Sequence, residues 1–317
     1  MDPESAVFYR NLSGPLGEEL RRVLRTEDGE TVMTIMDGRC PMWRRDGLCR
    51  IQAELGEGAL CRTCREFPRL THDYGDFIEL GLELSCPEAA KFILESAGFS
   101  MISGETAGGG EPEYDTEAMA ILKDTRETAR QILVDFWDRP AEALAALLLW
   151  GYQAQEALDG EKLREYDKKA LLDLGTDLVK RSGFGEQKGG FAHAEGCFHG
   201  LGCLYSGLEI LTDQWRERLA GAKAPAPMTD RVLPLARYFV DRYWLQAVSD
   251  YDLYCRVKFM VVSCILVSGL GGDFLETAQL YSKEIENDID NVEALLDAAY
   301  SHPALTDDKV LGMLLEL

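Results

Sequence analysis

The segments Gly38-Arg39-Cys40-Pro41-Met42-Trp43, Gly47-Leu48-Cys49-Arg50-Ile51, Leu60-Cys61-Arg62-Thr63-Cys64-Arg65-Glu66-Phe67-Pro68-Arg69 and Leu84-Ser85-Cys86-Pro87-Glu88 hold five of the chain's nine cysteines. The gaps between consecutive members are 8, 11, 2 and 21 residues. From Met36 to Cys86, glycine, proline and cysteine interrupt any regular apolar pattern, as expected of a small module organised by a metal. Thiols grouped this closely hold either a metal or one another.

Working outward, an odd number of cysteines cannot all be consumed by internal disulfides. The start, Met1-Asp2-Pro3-Glu4-Ser5, is acidic and lacks the apolar stretch of a secretion signal. At 317 residues the chain also far exceeds the small secreted scaffolds that depend on disulfides. A reducing, cytoplasmic setting is expected, with metal ligation as the leading role for the cluster. The longest apolar runs, Leu144–Trp150 and Phe259–Val267, fall short of the ~20 residues that cross a bilayer. A soluble protein with no membrane partner is expected.

A net charge of -22 argues against nucleic acid, since a polyanion has no counterions to release from phosphates. It suits a solvated acidic surface and basic partners. Between Cys40 and Arg69 the balance is locally reversed, with Arg44, Arg45, Arg50, Arg62, Arg65 and Arg69 against Asp46, Glu54, Glu57 and Glu66. Guanidinium groups there would offset the negative charge of a thiolate centre and lower thiol pKa values. The plainer alternative is a set of surface arginines beside a structural site.

The pattern along the chain predicts a mainly α protein: a helical bundle with a small irregular cysteine-rich metal-binding module near the N-terminus. Residues 1–100 read as an N-terminal helical stretch, extending to about residue 35, plus that module. Ile51–Leu60 reads as one short helix inside the module, and Ala89–Ala97 as another with Pro87 in its first turn. Residues 101–115 read as a linker, since Gly104–Glu113 is rich in glycine and glutamate. Residues 116–317 read as an α-helical domain. Its expected helices are Thr116–Trp137, Pro140–Leu158, Glu161–Arg181, Leu201–Leu219, Val232–Val248, Asp252–Val267, Phe274–Asp288 and Val292–Ala299. Alternating strands are scarce and no internal repeat stands out.

The Cys61-x2-Cys64 pair is unspecific by itself, since such pairs serve zinc, iron–sulfur and dithiol chemistry alike. A thioredoxin-like reading would need the pair to open a helix within a βαβ unit, and that context is absent. Cys40 and Cys86 are each followed by proline, which biases the cysteine towards extended backbone. Cysteine–proline also ends the ligand run of bacterial ferredoxins. One tetrahedral zinc or one cubane cluster takes four thiolates, so one of the five is spare, and Cys61 and Cys64 could both ligate.

Taken together, Cys40…Gly47-Leu48-Cys49-Arg50-Ile51-Gln52…Leu55-Gly56-Glu57…Leu60-Cys61-x-Thr63-Cys64-x-x-Phe67-Pro68-Arg69…Leu84-Ser85-Cys86-Pro87-Glu88-Ala89 resembles the flagellin lysine-N-methylase family, part of a broader group of cysteine-rich, metal-chelating proteins. The likeness is specific through residues 36–95 and diffuse elsewhere. The tail Ala278–Asn287, followed by Asn291-Val292, also resembles the family's C-terminal region. The resemblance implies methyl transfer from S-adenosylmethionine to lysine side chains of flagellin, with flagellin as partner. It also implies a [4Fe–4S] cluster, with zinc as the alternative, held by Cys40, Cys49, Cys64 and Cys86. Position 61 is often not cysteine in such proteins, which makes Cys61 the expendable member.

Members of the family carry an upstream cysteine-rich segment ending in a double cysteine and a tryptophan. This chain begins about where that segment would end, so the expectation is a version lacking it, with weaker metal binding if upstream cysteines complete the site. A non-enzymatic iron–sulfur or zinc-binding protein, a metal carrier or structural interaction module, is the alternative function.

Other signals are read as structural. Val261–Val267 followed by Ser268-Gly269-Leu270-Gly271-Gly272-Asp273 superficially resembles a strand and nucleotide loop, but a helix ending in a glycine-rich turn is expected because no βα series follows. His193, Cys197, His199 and Cys203 offer ligand atoms, but the ~200° step from Cys197 to His199 directs the two pairs apart. Neither a C-x3-C-x2-C radical S-adenosylmethionine signature nor a G-x-S-x-G elbow is present. Tyr281 and Glu284 stand out as polar groups in the C-terminal segment, with helix-surface roles as the plainer reading.

Overall fold

Asp2 begins the first helix by accepting the Ser5 amide at 2.9 Å, and Pro3 supplies the preset backbone angle of a first helical turn. In the computed structural model, residues 1–27, 29–36, 39–95, 104, 110–184, 190–222 and 228–315 are described. Packing divides the chain into two units, Met1–Leu70 and Thr71–Leu317.

The first unit opens with α1 (Pro3–Asn11) and α2 (Gly14–Val23). The helical stretch expected to reach residue 35 stops at Val23. It gives way to an antiparallel hairpin of β1 (Leu24–Glu27) and β2 (Glu30–Met33), in register from Leu24 opposite Met33 to Glu27 opposite Glu30. Gly29, at φ 87°, supplies a turn conformation that L side chains resist, and Thr26, Thr31 and Val32 are β-branched. The single helix expected over Ile51–Leu60 is likewise divided. α3 (Arg50–Leu55) ends at Gly56, at φ 85°, and a 3-10 turn over Glu57–Ala59 follows. α4 (Arg62–Glu66) comes next. Tyr9, Leu16, Leu20, Ile51, Leu60 and Cys61 belong to the unit's small core. Two polar links close it: Tyr9 donates its hydroxyl to the Ala59 carbonyl at 2.7 Å, and Asp2 accepts the Arg62 amide at 2.9 Å.

The second unit begins within β3 (Arg69–Asp73), which pairs with β4 (Ile78–Leu82). The hairpin is fixed by a forked ion pair from Arg126 to Glu79, at 2.9 and 2.6 Å. The remaining elements are helices: α5 (Pro87–Glu95), α6 (Thr116–Asp135), α7 (Pro140–Leu158), α8 (Lys168–Ser182), α9 (Gly190–Ser206), α10 (Asp213–Gly221), α11 (Val232–Tyr243), α12 (Leu253–Gly269), α13 (Phe274–Tyr281), α14 (Ile289–Ser301) and α15 (Asp307–Leu315). Their starts follow from side-chain caps. Asp115, Asp167, Thr212, Asp252, Asp273 and Asp288 each accept a first-turn amide.

The expected mainly α character therefore holds, with local revisions. The helix expected from Glu161 starts at Lys168, where Asp167 caps it. Leu201–Leu219 is two helices, α9 and α10, because the chain leaves α9 after Ser206 and Thr212 caps a new start. Phe274–Asp288 is α13 followed by a π-helical turn over Ser282–Glu286. Most of the expected linker, at 101–103 and 105–109, lies outside the described residues. Tyr114, at its end, packs edge-on against Tyr74 and Phe77 and donates to Asp76 at 2.7 Å.

α12 lies at the centre of the second unit. Nearly every side chain from Leu253 to Val267 is buried, as a helix that is apolar on all sides requires. Its approach to α7 is set by Gly151, where an added Cβ would stand 2.6 Å from Val257 Cγ1. Thr125 of α6 gathers two tryptophans, its carbonyl accepting from Trp150 at 2.8 Å and its hydroxyl from Trp244 at 3.2 Å. No helix among the described residues is long and apolar enough to cross a membrane.

Candidate functional site

The cysteine-rich stretch builds its loops on backbone hydrogen bonds. Trp43 donates to the Cys40 carbonyl at 3.0 Å, Arg50 closes the next loop onto Met42 at 2.8 Å, and Trp43 forms an isolated antiparallel bridge with Cys49. Cys49 then occupies the cap position of α3 and Cys61 that of α4, with Cys64 inside α4. Cys40 and Cys64 are exposed, Cys49 is half-buried and Cys61 is buried. All nine cysteines are free thiols.

Within this unit four sulfurs share one electrostatic neighbourhood. The thiol of Cys64 donates to Cys61, which lowers Cys61 to about 6 and raises Cys64. Desolvation raises Cys40, and the charges of Cys49 and Cys61 add to that rise. Tyr9 is raised first by desolvation and then by the charge of Cys61, with smaller effects from Cys64 and Cys49. As soft donors these thiols suit zinc or an iron–sulfur cluster. Among the described residues, however, no three His, Cys, Asp or Glu side chains stand in a metal-holding arrangement. A resident ion would require the thiols to close around it.

Cys86 belongs to the second unit. It sits at the entry to α5, its carbonyl accepting the Ala90 amide at 2.8 Å, and its half-buried side chain packs against the larger core. Several of the arginines read as local positive charge have partners: Arg44 meets Asp46 at 2.6 Å, and Arg50 bonds both Glu19 and Glu54.

The segment carrying Tyr281 and Glu284 is consumed by packing. Tyr281 shares a hydrogen bond with Ser263 at 2.6 Å. Glu284, fully buried, accepts from the Leu211 amide at 2.8 Å and the Thr212 hydroxyl at 2.5 Å. Asn291 completes the clamp through Glu209 and the Glu284 carbonyl. These residues pin the α9–α10 connection rather than lying on a helix surface. Val261–Val267 is the interior of α12, and the glycines after it form the turn that ends it. Gly271 and Gly272 have φ of 70° and 80°, and Arg218 donates to the Gly271 carbonyl at 2.8 Å. Of the His/Cys group on α9, His199 and Cys203 meet at 3.6 Å while Cys197 is buried; the His193 side chain lies outside the described residues.

Two buried ionic groups were not singled out from sequence. One joins Glu286, in the π-helical turn, to Arg242, Tyr238 and Tyr243 of α11. The other joins Lys258 of α12 to Tyr254 and Asp307. The available signal was charge inside an apolar run: Arg256 and Lys258 interrupt Leu253–Val267, and such residues are buried only when paired.

These features define a mainly helical protein whose N-terminal unit gathers four thiols. A stretch of 78 residues, 25% of this chain, is 38% identical to Lysine-N-methylase of Salmonella typhimurium (strain LT2) and equally so to that of Salmonella choleraesuis. A stretch of 66 residues is 42% identical to the flagellar biosynthetic protein FliU of Salmonella muenchen. Over that quarter of its length the chain is similar to proteins named Lysine-N-methylase. The match spans 20% of each Lysine-N-methylase and 39% of FliU. No protein-family model matches the chain, and no solved structure matches it.

Proposed function

We propose that this chain acts in S-adenosylmethionine-dependent N-methylation of flagellin lysines, with a [4Fe–4S] cluster, or zinc in its place, held by Cys40, Cys49, Cys64 and Cys86. The observation that carries the reading is the 38% identity to proteins named Lysine-N-methylase. The name FliU supports the flagellar setting. The shared thiol neighbourhood of Cys40, Cys49 and Cys64 supports the metal part of it.

In such a reaction the neutral lysine nitrogen attacks the sulfonium methyl carbon in line with the departing sulfur. The new N–C bond forms as the C–S bond breaks, S-adenosylhomocysteine leaves, and the nitrogen gives up a proton to a nearby base or to water. A thiolate-held cluster would supply electron-transfer capacity, and zinc a rigid cross-link between the ligand loops. The chain's own part is to bind the two substrates and hold the amine on the methyl axis.

Anaerobic purification tests the metal: broad absorbance near ~400 nm identifies a cluster, whereas a colourless, zinc-loaded protein identifies the alternative. Calorimetric titration with S-adenosylmethionine and mass spectrometry of incubated flagellin test the enzyme. Cluster binding without S-adenosylmethionine affinity or flagellin methylation would replace the enzyme with a non-catalytic metal protein.

A further inference from the structure

A lysine occupies a position in α12 where apolar side chains surround it. Lys258 is 2% exposed, and its ammonium meets Asp307 Oδ1 at 2.8 Å, the Ala299 carbonyl at 2.9 Å and the Tyr254 hydroxyl. Tyr254 donates to Asp307 Oδ1 at 3.1 Å and accepts from the Tyr152 hydroxyl at 3.1 Å. A buried ammonium with three oxygen partners cannot easily release any of them, so Asp307 and Tyr152 are held in place from behind.

In front of them is a cleft of about 490 Å³ between α7, α8 and α15. Tyr152, Asp307, Asp308 and Glu156 supply its polar lining, and Leu174 and Leu178 part of its apolar lining. The volume falls within the range of small-ligand sites. Its cationic wall residue, Arg164, is engaged by Glu156 at 3.0 Å. Leucines beside an aromatic ring and carboxylates match a ligand with an aliphatic stem and a cationic end. Lys258 offsets Asp307 and Arg164 offsets Glu156, which leaves the charge of Asp308 in the lining to be met; an anion would be repelled by it and an apolar ligand would desolvate it.

We propose that this cleft binds an alkylammonium group, specifically a lysine side chain of a polypeptide, with Asp307 and Tyr152 as positioning residues for the amine and Leu174 and Leu178 against its stem. Treating that lysine as the one to be methylated rests on the methylase reading; the binding of a lysine side chain does not.

The test uses the whole chain and two probes, Nα-acetyl-lysine N-methylamide and its norleucine counterpart, which has the same stem without the ammonium. Calorimetry or NMR titration should find the lysine probe bound at least about tenfold more tightly. Leu178→Arg, which places a cation in the cleft, should weaken that binding by about tenfold or more. Asp308→Asn should weaken it by a few-fold at low salt, with wild-type circular dichroism and melting temperature. Leu174→Arg, at a position already 39% exposed, serves where Leu178→Arg does not fold.

Equal affinity for the two probes, or unchanged binding in Leu174→Arg and Asp308→Asn, overturns the assignment. With flagellin as substrate, the same variants should raise KM and leave kcat nearly unchanged. Methylation that proceeds with wild-type KM in the variants sinks the cleft and spares the methylase reading. Selective lysine binding without any methylation sinks that reading and spares the cleft.

Discussion

The guanidinium of Arg242 lies 3.1 Å from the carboxylate of Glu286, whose side chain is wholly shielded from solvent. Tyr238 and Tyr243 donate their hydroxyls to the same carboxylate at 3.1 and 2.9 Å. Glu286 reaches these partners from the π-helical turn over Ser282–Glu286. Glu286→Gln leaves Arg242 buried without its counter-charge. The expected cost is about 3 kcal/mol, read by urea unfolding. A loss below ~1 kcal/mol would mean that the hydroxyls carry the group without the ion pair.

Gly151 sets how closely α7 approaches α12. A methyl group there would meet both Cγ atoms of Val257, at 2.6 and 2.8 Å. Gly151→Ala is therefore expected to destabilise by about 1–3 kcal/mol, despite the better helix propensity of alanine. Val257→Ala in the same chain should restore part of the loss, and a double-mutant cycle measures the coupling.

The metal-free protein should show a thiolate step near pH 6 in its absorbance at ultraviolet wavelengths, from Cys61 stabilised by the Cys64 thiol. Cys64→Ala removes the donor and should move that step upward, towards the ordinary value of 9.0. The folded value of Cys61 is depressed, so its contribution to stability is complete above the unfolded value and disappears as pH falls through about 6. The raised value of Cys64 works in the opposite direction, costing stability at pH above its ordinary range. The stability difference between wild type and Cys64→Ala should hence grow from pH 5 to pH 8. A difference that is flat over that window would exclude the thiol pair as its source.

Cys64→Ala should lose the metal, whereas Cys61→Ala should keep most of it. Cys61 packs with Tyr9, Ile51 and Leu60, so its truncation is expected to cost about 1 kcal/mol through lost packing. Metal analysis and a melting curve on each variant separate the two effects. Equal metal loss would move Cys61 into the ligand set.

How much was legible follows from the range of each signal. Pro140–Leu158 has the same bounds in sequence and structure, because proline marks its first turn and an apolar run fills its interior. The start at Thr116 follows from the Asp115 cap beside it. The hairpin Leu24–Met33 was misread as helix since the preceding apolar spacing was extended past the point where Gly29 turns the chain. Gly56 and the cap at Thr212 divided two other expected helices in the same way. Tyr281 and Glu284 were noticed as polar groups, yet their role in holding Leu211 and Thr212 depends on residues far away in sequence.

Sequence by itself determined that residues beyond 115 are helical and that five cysteines crowd into one short segment, because caps, periodicity and spacing act within a few residues. Only the tertiary structure decided which buried charges meet: Lys258 with Asp307, Arg242 with Glu286 and Arg126 with Glu79. Such partners are tens of residues apart, and their worth depends on how far burial strips each of them of water, which no local pattern reports.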